Sequence, residues 1–451
     1  MKFFVLLLAF SALLADLPLP KEAKIEFGFL KLRNKDDKEE AQIFYTVYTQ
    51  PADNQKPRPL TFCVNGGPGA ASVWLQLGGV GPLRLKNSYE SAELEQNPGS
   101  ILPFTDLVFL DPVSTGFSKS STGVDPSLFH SFETDVDSLN RAIVQFLNTY
   151  ERWDAPLFLM GESYGSLRVV GIAKKLFETT RIATRGIILV SGPLDYGTII
   201  GESTHDMPYI AAFPTQAILE GLKKGKKAED VRPEAENFLE KIYQPALFLG
   251  DALPEKEREP LADELSRWTG VPKEELMASF LRITSSTFRY MTSRGQTFGR
   301  FDGRVVVEAP YEIPPYIQIE PSFLSLMPHF QKAIHQVFKE YGWKSGDDIY
   351  VVLADSIKWD FKTNNCYLNV VASLKELLYQ LPQLQVLSCN GYYDLGVPYY
   401  GVKHSLRHLL LDKKTATRVR QELFNGGHMF YLDRSVNESF GNILKTFYLQ
   451  K

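Results

Sequence analysis

The feature that most constrains the fold of this chain is the pentapeptide Gly-Glu-Ser-Tyr-Gly at residues 161–165. It follows an apolar run at 156–160, which is typical of a buried strand, and it opens the amphipathic stretch 164–178, which is typical of a helix. A Gly-x-Ser-x-Gly pattern on a tight strand-to-helix turn exposes the serine hydroxyl at the edge of a sheet. The helix N-terminus adds the positive end of a dipole beside that hydroxyl. The pattern therefore predicts that Ser163 is a nucleophile.

Strand-like and helix-like segments alternate on both sides of this turn. Strands are predicted at residues 24–33, 41–49, 60–64, 107–110, 186–190, 384–389 and 416–424, and helices at 132–150 and 438–449. Residues 349–353 predict one more strand, either in the sheet or at the edge of an insertion. Alternating strands and helices indicate an α/β fold with a mostly parallel central sheet and helices on both faces.

The composition changes in the middle of the chain. Residues 221–276 are rich in charged side chains, and the surrounding segment has helical periodicity. We expect residues 195–328 to form a largely helical cap insertion, between a first part of the sheet domain at 16–194 and a second part at 329–451. The alternative is a charged, solvent-exposed helical face of the main domain.

The N-terminal residues 1–15 predict a signal peptide. Lys2 precedes an uncharged apolar run that ends at Ala15, and this run is shorter than the roughly twenty residues that span a bilayer. The alternative is a buried first helix or strand. No other segment has the length and apolarity of a membrane span, so we expect an exported protein, secreted or periplasmic, with no integral membrane segment after cleavage.

The net charge, the cysteines and the histidines indicate whether a nucleic-acid partner, disulfides or a metal should be expected. The 49 basic and 53 acidic residues give a formal charge of −4, so no nucleic-acid partner is expected. Cys63, Cys366 and Cys389 are odd in number, and the first and last lie in strand-like runs, which favours buried free thiols. His404 and His408 have the spacing of metal ligands, but no glutamate completes a His-Glu-x-x-His motif. We expect neither a metal nor an organic cofactor.

A serine hydroxyl is a weak nucleophile unless a base accepts its proton. His428 is the candidate base, because it lies on a Gly-Gly loop directly after the predicted strand 416–424. Asp394 is the candidate orienting acid, because it follows the predicted strand 384–389. The chain order Ser163, Asp394, His428 is the order found in α/β hydrolases and predicts a catalytic triad. The alternative for His428 alone is a structural loop residue.

Acyl transfer also needs two backbone N–H groups that stabilise the oxyanion. One should come from Tyr164, the residue after the nucleophile. The other should come from the Asn-Gly-Gly-Pro-Gly loop at 65–69, which follows the predicted strand 60–64, and we assign it to Gly67. The alternative is that this loop is an ordinary tight turn.

These motifs together resemble the serine carboxypeptidase family. The resemblance covers residues 60–195 and 380–435, and the predicted cap carries no matching motif. It rests on residues 65–69 (Asn-Gly-Gly-Pro-Gly), 97–98 (Asn-Pro), 110–113 (Leu-Asp-Pro-Val), 115–118 (Thr-Gly-Phe-Ser), 161–165, 390–391 (Asn-Gly) before Asp394, and 427–429 (Gly-His-Met). Ala70 stands where disulfide-bearing members often have cysteine, so the chain looks like a bacterial-type member that lacks the usual disulfide pattern.

The resemblance implies an α/β-hydrolase fold and a serine-type carboxypeptidase, which removes one residue from a peptide with a free C-terminus. It also implies that Asn65 and Glu162 recognise the substrate carboxylate. A protonated Glu162 can donate a hydrogen bond to that carboxylate, whereas an ionised one would repel it. The alternative for Glu162 is a solvated turn residue.

One position departs from the family in a way that bears on activity. The family usually has a glutamate two residues before a Gly-Pro pair, and this chain has Gly79 there. Two other functions therefore stay open: an esterase or acyltransferase that uses the same triad, and a non-catalytic binding or protective protein on the same fold.

Overall fold

The structure, a computed structural model, describes residues 19–51, 57–200, 204–291, 296–308, 320–354, 357–363 and 367–450. The predicted signal peptide at 1–15 and Cys366 lie outside these ranges. Of the helices that these ranges contain, none is long and apolar enough to cross a membrane.

Strands and helices alternate along most of the chain. The strands are β1 (Lys24–Arg33), β2 (Glu39–Thr49), β3 (Leu60–Val64), β4 (Leu83–Leu85), β5 (Leu94–Gln96), β6 (Asp106–Leu110), β7 (Lys119–Ser120), β8 (Leu157–Glu162), β9 (Thr184–Val190), β10 (Gln296–Phe298), β11 (Val306–Glu308), β12 (Gln385–Gly391) and β13 (Val419–Phe424). The α-helices are α1 (Phe132–Thr149), α2 (Gly165–Thr180), α3 (Met207–Lys223), α4 (Ala228–Phe238), α5 (Gln244–Leu249), α6 (Glu255–Thr269), α7 (Lys273–Ala278), α8 (Ser285–Met291), α9 (Pro321–Leu324), α10 (Met327–Glu340), α11 (Val371–Gln380), α12 (Tyr399–Arg407), α13 (Lys413–Ala416) and α14 (Arg434–Leu449).

Nine of the described strands form one mixed sheet. Its order is β1-β2-β6-β3-β8-β9-β12-β13, and β7 pairs with β2 beside that path. The pairs from β6 to β13 are parallel, whereas β2 pairs antiparallel with β1, β6 and β7. The predicted mostly parallel sheet is confirmed. Parallel strands end at a common edge, so the turns after β3, β8, β12 and β13 meet there.

The central strands are buried on both faces, because helices cover the sheet on each side. Phe62 of β3 packs into a cluster with residues of α1, α2 and α11, while its neighbour Cys63 packs into a cluster with residues of α10 and α14. This alternation follows from the two-residue period of a strand. Cys63 and Cys389 are buried free thiols, as predicted, and burial raises the pKa of both.

Residues 195–328 contain helices α3 to α9 and the hairpin β10–β11. Helices α3, α4 and α6 share a third apolar cluster with Tyr392 and Tyr399 from the segment after β12. Helix α10 begins at Met327, and its Phe330 packs in the core of the sheet domain. The cap boundaries at 195 and 328 stay predictions.

The predicted strand at 349–353 is wrong. Val351 forms an isolated bridge with Gly116, and Leu353 forms one with Ala70, so the segment does not join the sheet. The Ala354 N–H also donates a hydrogen bond to the Gly69 carbonyl at 2.8 Å. A run of β-branched residues predicts extended backbone, but its hydrogen-bond partners lie far away in sequence. Here those partners are loops beside the glycine loop.

Candidate active site

Ser163 lies on the turn between β8 and α2. Its φ of +57° is in the left-handed region, which is strained for a residue with a side chain. The Ser163 N–H donates a hydrogen bond to the Val190 carbonyl at 2.8 Å and ties the turn to β9. Glycine is required at position 161, because a Cβ there would lie 2.0 Å from the Gly165 carbonyl oxygen. The two glycines of the motif therefore allow the turn to close around the serine.

The glycine loop at 65–69 packs directly against this turn. A Cβ at Gly66 would lie 2.5 Å from the Tyr164 amide nitrogen. Arg168 of α2 holds the loop, because its guanidinium donates hydrogen bonds to the carbonyls of Asn65 and Gly66. Arg168 is buried and forms an ion pair with Asp135 at 2.6 Å. The nucleophile turn and the glycine loop are thus joined by backbone contact and by one buried arginine.

The amides of Gly67 and Tyr164 are free to donate. Gly67 has a φ of +97°, and neither its N–H nor that of Tyr164 donates a hydrogen bond to another residue in the described part of the chain. Two unpaired amides on adjoining turns next to a serine hydroxyl have the donor chemistry of an oxyanion hole.

His428 and Asp394 lie together at the same edge of the sheet. Asp394 is fully buried on the loop after β12, and its Oδ2 is 2.7 Å from His428 Nδ1. Asp394 Oδ1 accepts hydrogen bonds from the Gly396 and Val397 amides, each at 2.8 Å. A carboxylate with these three contacts is fixed in orientation and in turn fixes the histidine ring.

A cavity of about 220 Å³ brings the predicted residues together. Its polar walls are Asn65, Glu162, Ser163, His428 and Arg300, and its apolar walls include Trp74, Phe301, Phe323 and Met429. The Ser163 hydroxyl makes no hydrogen bond with the His428 ring. Such contacts are often long before substrate binds and shorten in the reactive complex.

The charge of His428 depends on its neighbours. Burial lowers the pKa of its imidazole, but the Asp394 carboxylate and, to a smaller extent, the Glu162 carboxylate raise it, and the resulting pKa lies above the ordinary value. Carboxylates stabilise the protonated ring. The arrangement is therefore suited to a base that carries a positive charge during the reaction.

Glu162 is buried at the end of β8, with only 3% of its surface exposed, so it is not a solvated turn residue. Its Oε2 accepts hydrogen bonds from Asn65 Nδ2 at 2.6 Å and from the Tyr431 hydroxyl at 2.7 Å. Burial raises the pKa of the Glu162 carboxyl, although the His428 charge and these two hydrogen bonds oppose the rise. Both partners bond the same oxygen, which leaves Oε1 without a hydrogen bond to described residues.

Gly79, the position that departs from the family, is close to this group. A Cβ at Gly79 would lie 3.8 Å from the Tyr431 ring and 3.3 Å from the Leu75 side chain. No carboxyl group can come from position 79 in this chain. The phenol of Tyr431 is instead the third member of the group formed with Asn65 and Glu162.

Three residues of the site are not marked by any motif in the sequence. Tyr431 lies in a short 3₁₀ turn three residues after His428, and its proximity to that histidine was the only available signal. Phe301 and Arg300 come from the predicted cap, where no motif marks them. The Phe301 carbonyl accepts a hydrogen bond from the His428 N–H, and its ring centroid is 4.9 Å from that of His428.

His404 and His408, which have the spacing of metal ligands, lie side by side on α12 and its C-terminal end. Their rings stack with centroids 3.8 Å apart, and burial together with the charge of His408 lowers the pKa of His404 to about 4. Within the described ranges, no group of three or more His, Cys, Asp or Glu residues could hold a metal ion.

Comparisons with known proteins point to one family. The family model described as serine carboxypeptidase matches residues 18–248, more than half of the chain. The pheromone-processing carboxypeptidase KEX1 of Ogataea parapolymorpha is 28% identical over 195 residues, which cover 40% of this chain and 30% of that protein. Serine carboxypeptidase-like 10 of Arabidopsis thaliana is 25% identical over 223 residues, covering 47% of this chain and 49% of that one. The matched region thus spans less than half the length of these curated relatives.

A solved structure extends the likeness to nearly the whole fold. The crystal structure of Kex1(delta)p, a prohormone-processing carboxypeptidase from Saccharomyces cerevisiae, aligns with a TM-score of 0.59 at 16% identity. The alignment covers 94% of this chain and 91% of that one. At this identity the likeness concerns the fold, and it agrees with the α/β-hydrolase arrangement of the sheet. With a family match over residues 18–248 and this fold, the chain belongs to the serine carboxypeptidase family.

Proposed function

We propose that this protein is a serine carboxypeptidase that hydrolyses the C-terminal peptide bond of a substrate through an acyl-enzyme intermediate. The observation that carries the proposal is one cavity whose walls include Ser163, His428, Asn65 and Glu162, with Asp394 bonded behind His428. A nucleophile with its base and a buried group suited to a carboxylate thus face the same space. That combination fits a peptide end better than an internal peptide bond.

In the proposed mechanism, the Ser163 hydroxyl attacks the scissile carbonyl while His428 Nε2 accepts its proton. Asp394 keeps the proton on Nδ1 and stabilises the imidazolium. The Gly67 and Tyr164 amides bind the oxyanion. His428 then donates its proton to the leaving amine, which departs as the free C-terminal amino acid. A water molecule attacks the acyl-enzyme by the same steps and restores Ser163.

Asn65 and Glu162 would bind the carboxylate of the leaving residue. Asn65 Oδ1 already accepts a hydrogen bond from the Leu75 amide at 3.1 Å, and its Nδ2 donates to Glu162. The free Oε1 of Glu162 would carry a proton and donate it to the substrate carboxylate. Tyr431 would act as a positioning residue, because its hydroxyl holds Oε2 in place.

An esterase or acyltransferase on the same triad is the second candidate. Gly79 favours it, because a phenol rather than a second carboxylic acid adjoins Glu162. In that case an ester or an activated acyl donor would react faster than a peptide, and a free C-terminus would bring no advantage.

The first test compares one N-blocked dipeptide with its C-terminal amide. Phenylalanine is a suitable leaving residue, because the walls beside Ser163 include Trp74, Phe323 and Met429. We expect kcat/KM for the free acid to exceed that for the amide by at least about tenfold, since the charge-assisted hydrogen bonds are lost in the amide. Equal rates, or turnover of a matched ester alone, would favour the second candidate. Binding without turnover of any substrate would favour a non-catalytic role.

A pH profile tests the role of Glu162. His428 must be neutral, so kcat/KM falls as pH decreases through its pKa, which is raised. Glu162 must be protonated, so hydrolysis of a free-acid peptide falls as pH increases through its pKa, which is also raised. Because the two groups interact electrostatically, the apparent pKa values of the acid and alkaline limbs belong to the coupled pair and not to either residue alone. We expect Glu162→Gln to remove the alkaline limb for the free acid, because the amide donates a hydrogen bond at every pH.

Tyr431→Phe is the matched control, because it keeps the ring and removes only the hydroxyl. That hydroxyl lowers the pKa of Glu162, so its loss should move the alkaline limb to higher pH rather than abolish it. The amidated peptide should show no Glu162-dependent limb in any variant. Superimposable profiles of the two substrates, unaltered by Glu162→Gln, would exclude recognition of the carboxylate by Glu162.

The proposed setting is an exported compartment, secreted or periplasmic, with peptides that carry a free C-terminus as partners. The signal-like sequence of residues 1–15 supports export, and protein sequencing of the N-terminus after expression with an export system would test the cleavage after Ala15.

A further inference from the structure

Arg300 lies where two cavities meet. The first is the cavity of about 220 Å³ that contains Ser163 and His428, and the second has a volume of about 570 Å³. Arg300 and Gly67 line both of them. The larger cavity therefore adjoins the glycine loop and shares two wall residues with the cavity that contains Ser163.

The backbone of Arg300 is fixed in this position. Its N–H donates hydrogen bonds to the Glu320 carboxylate at 2.9 and 3.1 Å, and its carbonyl accepts one from the Leu395 amide at 3.0 Å. The next residue, Phe301, accepts a hydrogen bond from the His428 amide. The backbone of Arg300 is thus anchored between the loop that carries Asp394 and the contact with His428. An arginine on a surface helix would not be held in this way.

The guanidinium of Arg300 has no acceptor among the residues that the structure describes. Its central carbon is 5.4 Å from the centroid of the Phe301 ring. The other arginine of the larger cavity, Arg289, is engaged: its Nε donates to the Phe298 carbonyl, and it pairs with Glu320 at 2.9 Å. The charge of Arg300 is therefore available to a ligand, whereas that of Arg289 is not.

The walls of the larger cavity match an anionic ligand. The described residues around it supply two arginines and no carboxylate, and its other polar groups include the hydroxyls of Thr284, Ser285 and Ser286. Glu320 is already paired with Arg289, so the unpaired guanidinium of Arg300 faces a cavity whose described walls hold no carboxylate. Such a guanidinium attracts a carboxylate ligand and binds it through two parallel hydrogen bonds.

The position of the larger cavity relative to Ser163 indicates which part of a peptide substrate enters that cavity. Under the proposed function, on which this inference rests, Asn65 and Glu162 bind the carboxylate of the leaving residue in the smaller cavity. The acyl part of the substrate then extends past the glycine loop, which the larger cavity borders. We propose that Arg300 selects substrates with an aspartate or glutamate on the acyl side of the scissile bond.

The test uses three N-blocked dipeptides that end in the same phenylalanine and carry glutamate, glutamine or lysine before it. We expect the wild-type protein to hydrolyse the glutamate peptide with a kcat/KM about tenfold above that of the glutamine peptide, and the lysine peptide most slowly. Arg300→Gln should bring the glutamate rate down to the glutamine rate, so that the ratio of the two kcat/KM values falls to about one. Arg300→Lys should keep part of the preference, because it keeps the charge but loses the planar fork.

Arg258→Gln is the matched control, because Arg258 also lies over a phenylalanine in the predicted cap, 4.7 Å from the Phe280 centroid, and lines neither cavity. It should leave the glutamate-to-glutamine ratio unchanged. An equal ratio in wild type and Arg300→Gln would overturn the proposal, and so would an equal loss on all three peptides, which would indicate a structural role or binding of the common C-terminus.

Measuring the binding of these peptides to the Ser163→Ala variant separates this inference from the proposed function. If wild type hydrolyses none of the peptides, the carboxypeptidase proposal fails, while calorimetry can still compare the affinities of the glutamate and glutamine peptides. A tighter glutamate complex that weakens to the glutamine level in the Ser163→Ala, Arg300→Gln double variant would support the role of Arg300. Equal affinities would refute it.

Discussion

Replacing Ser163 with alanine is expected to reduce peptide hydrolysis by a factor on the order of 10⁶ in kcat, because the attacking oxygen is removed. The remaining rate should still exceed that in water by about 10³- to 10⁴-fold, through substrate binding and the amides of Gly67 and Tyr164. Substrate affinity should change little. The measurement is single-turnover hydrolysis of the free-acid dipeptide with wild-type and variant protein.

A double variant tests whether the residues act as one unit. Adding His428→Ala to Ser163→Ala should cost almost nothing further, because the base has no proton left to accept from the serine. The thermal midpoint of Ser163→Ala should stay near that of wild type, since only a hydroxyl is removed. An organophosphonate probe should label wild type and not Ser163→Ala. Wild-type turnover in a folded Ser163→Ala protein, or losses that multiply in the double variant, would contradict the proposed triad.

The second large effect is expected for Asp394→Asn, which should lower kcat by about 10⁴-fold near neutral pH. The carboxylate accepts a hydrogen bond from His428 Nδ1 at 2.7 Å, and an amide would favour the opposite tautomer. Asp394 raises the pKa of His428, so its loss should lower that pKa. The acid limb of the residual activity should therefore shift to lower pH, because the ring stays neutral over a wider range. Stopped assays at intervals of about one pH unit, from roughly pH 4 to roughly pH 9, measure both the loss of kcat and the shift of the acid limb.

Asp348→Asn is a suitable control for this substitution. Asp348 pairs with Lys119 at 2.8 Å, and both side chains are 55% exposed. Loss of this exposed ion pair should therefore change kcat by less than about twofold. A residual activity of Asp394→Asn close to that of the control, or an acid limb that does not move, would mean that Asp394 does not orient the histidine.

The predicted strands and the nucleophile turn show what local sequence can determine. The strand predicted at 156–160 corresponds to β8, which begins one residue later and ends at Glu162, and the Gly-x-Ser-x-Gly pattern does lie on a strand-to-helix turn. Both depend on short-range physics. Successive residues of a strand alternate between faces, and the turn that holds Ser163 at a positive φ needs glycine two residues before and two residues after it.

The segment at 349–353 shows where that reasoning fails. Its apolar, β-branched composition predicts extended backbone, but composition contains no information on the partner strand. The partners are Gly116 and Ala70, more than two hundred residues earlier, so the segment supports the glycine loop instead of extending the sheet. Pairing between distant residues depends on how the whole chain packs.

The sequence by itself indicated the family and, through its alternating strands and helices, the α/β arrangement. It also singled out Ser163, Asp394, His428, Asn65 and Glu162 as candidate site residues, because each lies in or beside a short pattern that is complete within a few residues. Only the tertiary structure decided what surrounds them. It alone places the phenol of Tyr431 on Glu162 and brings Arg300 and Phe301 to His428. The physical reason is that burial, and the contacts and charges it brings together, depend on residues far apart in the chain. Those contacts carry the predictions on pH and on substrate choice.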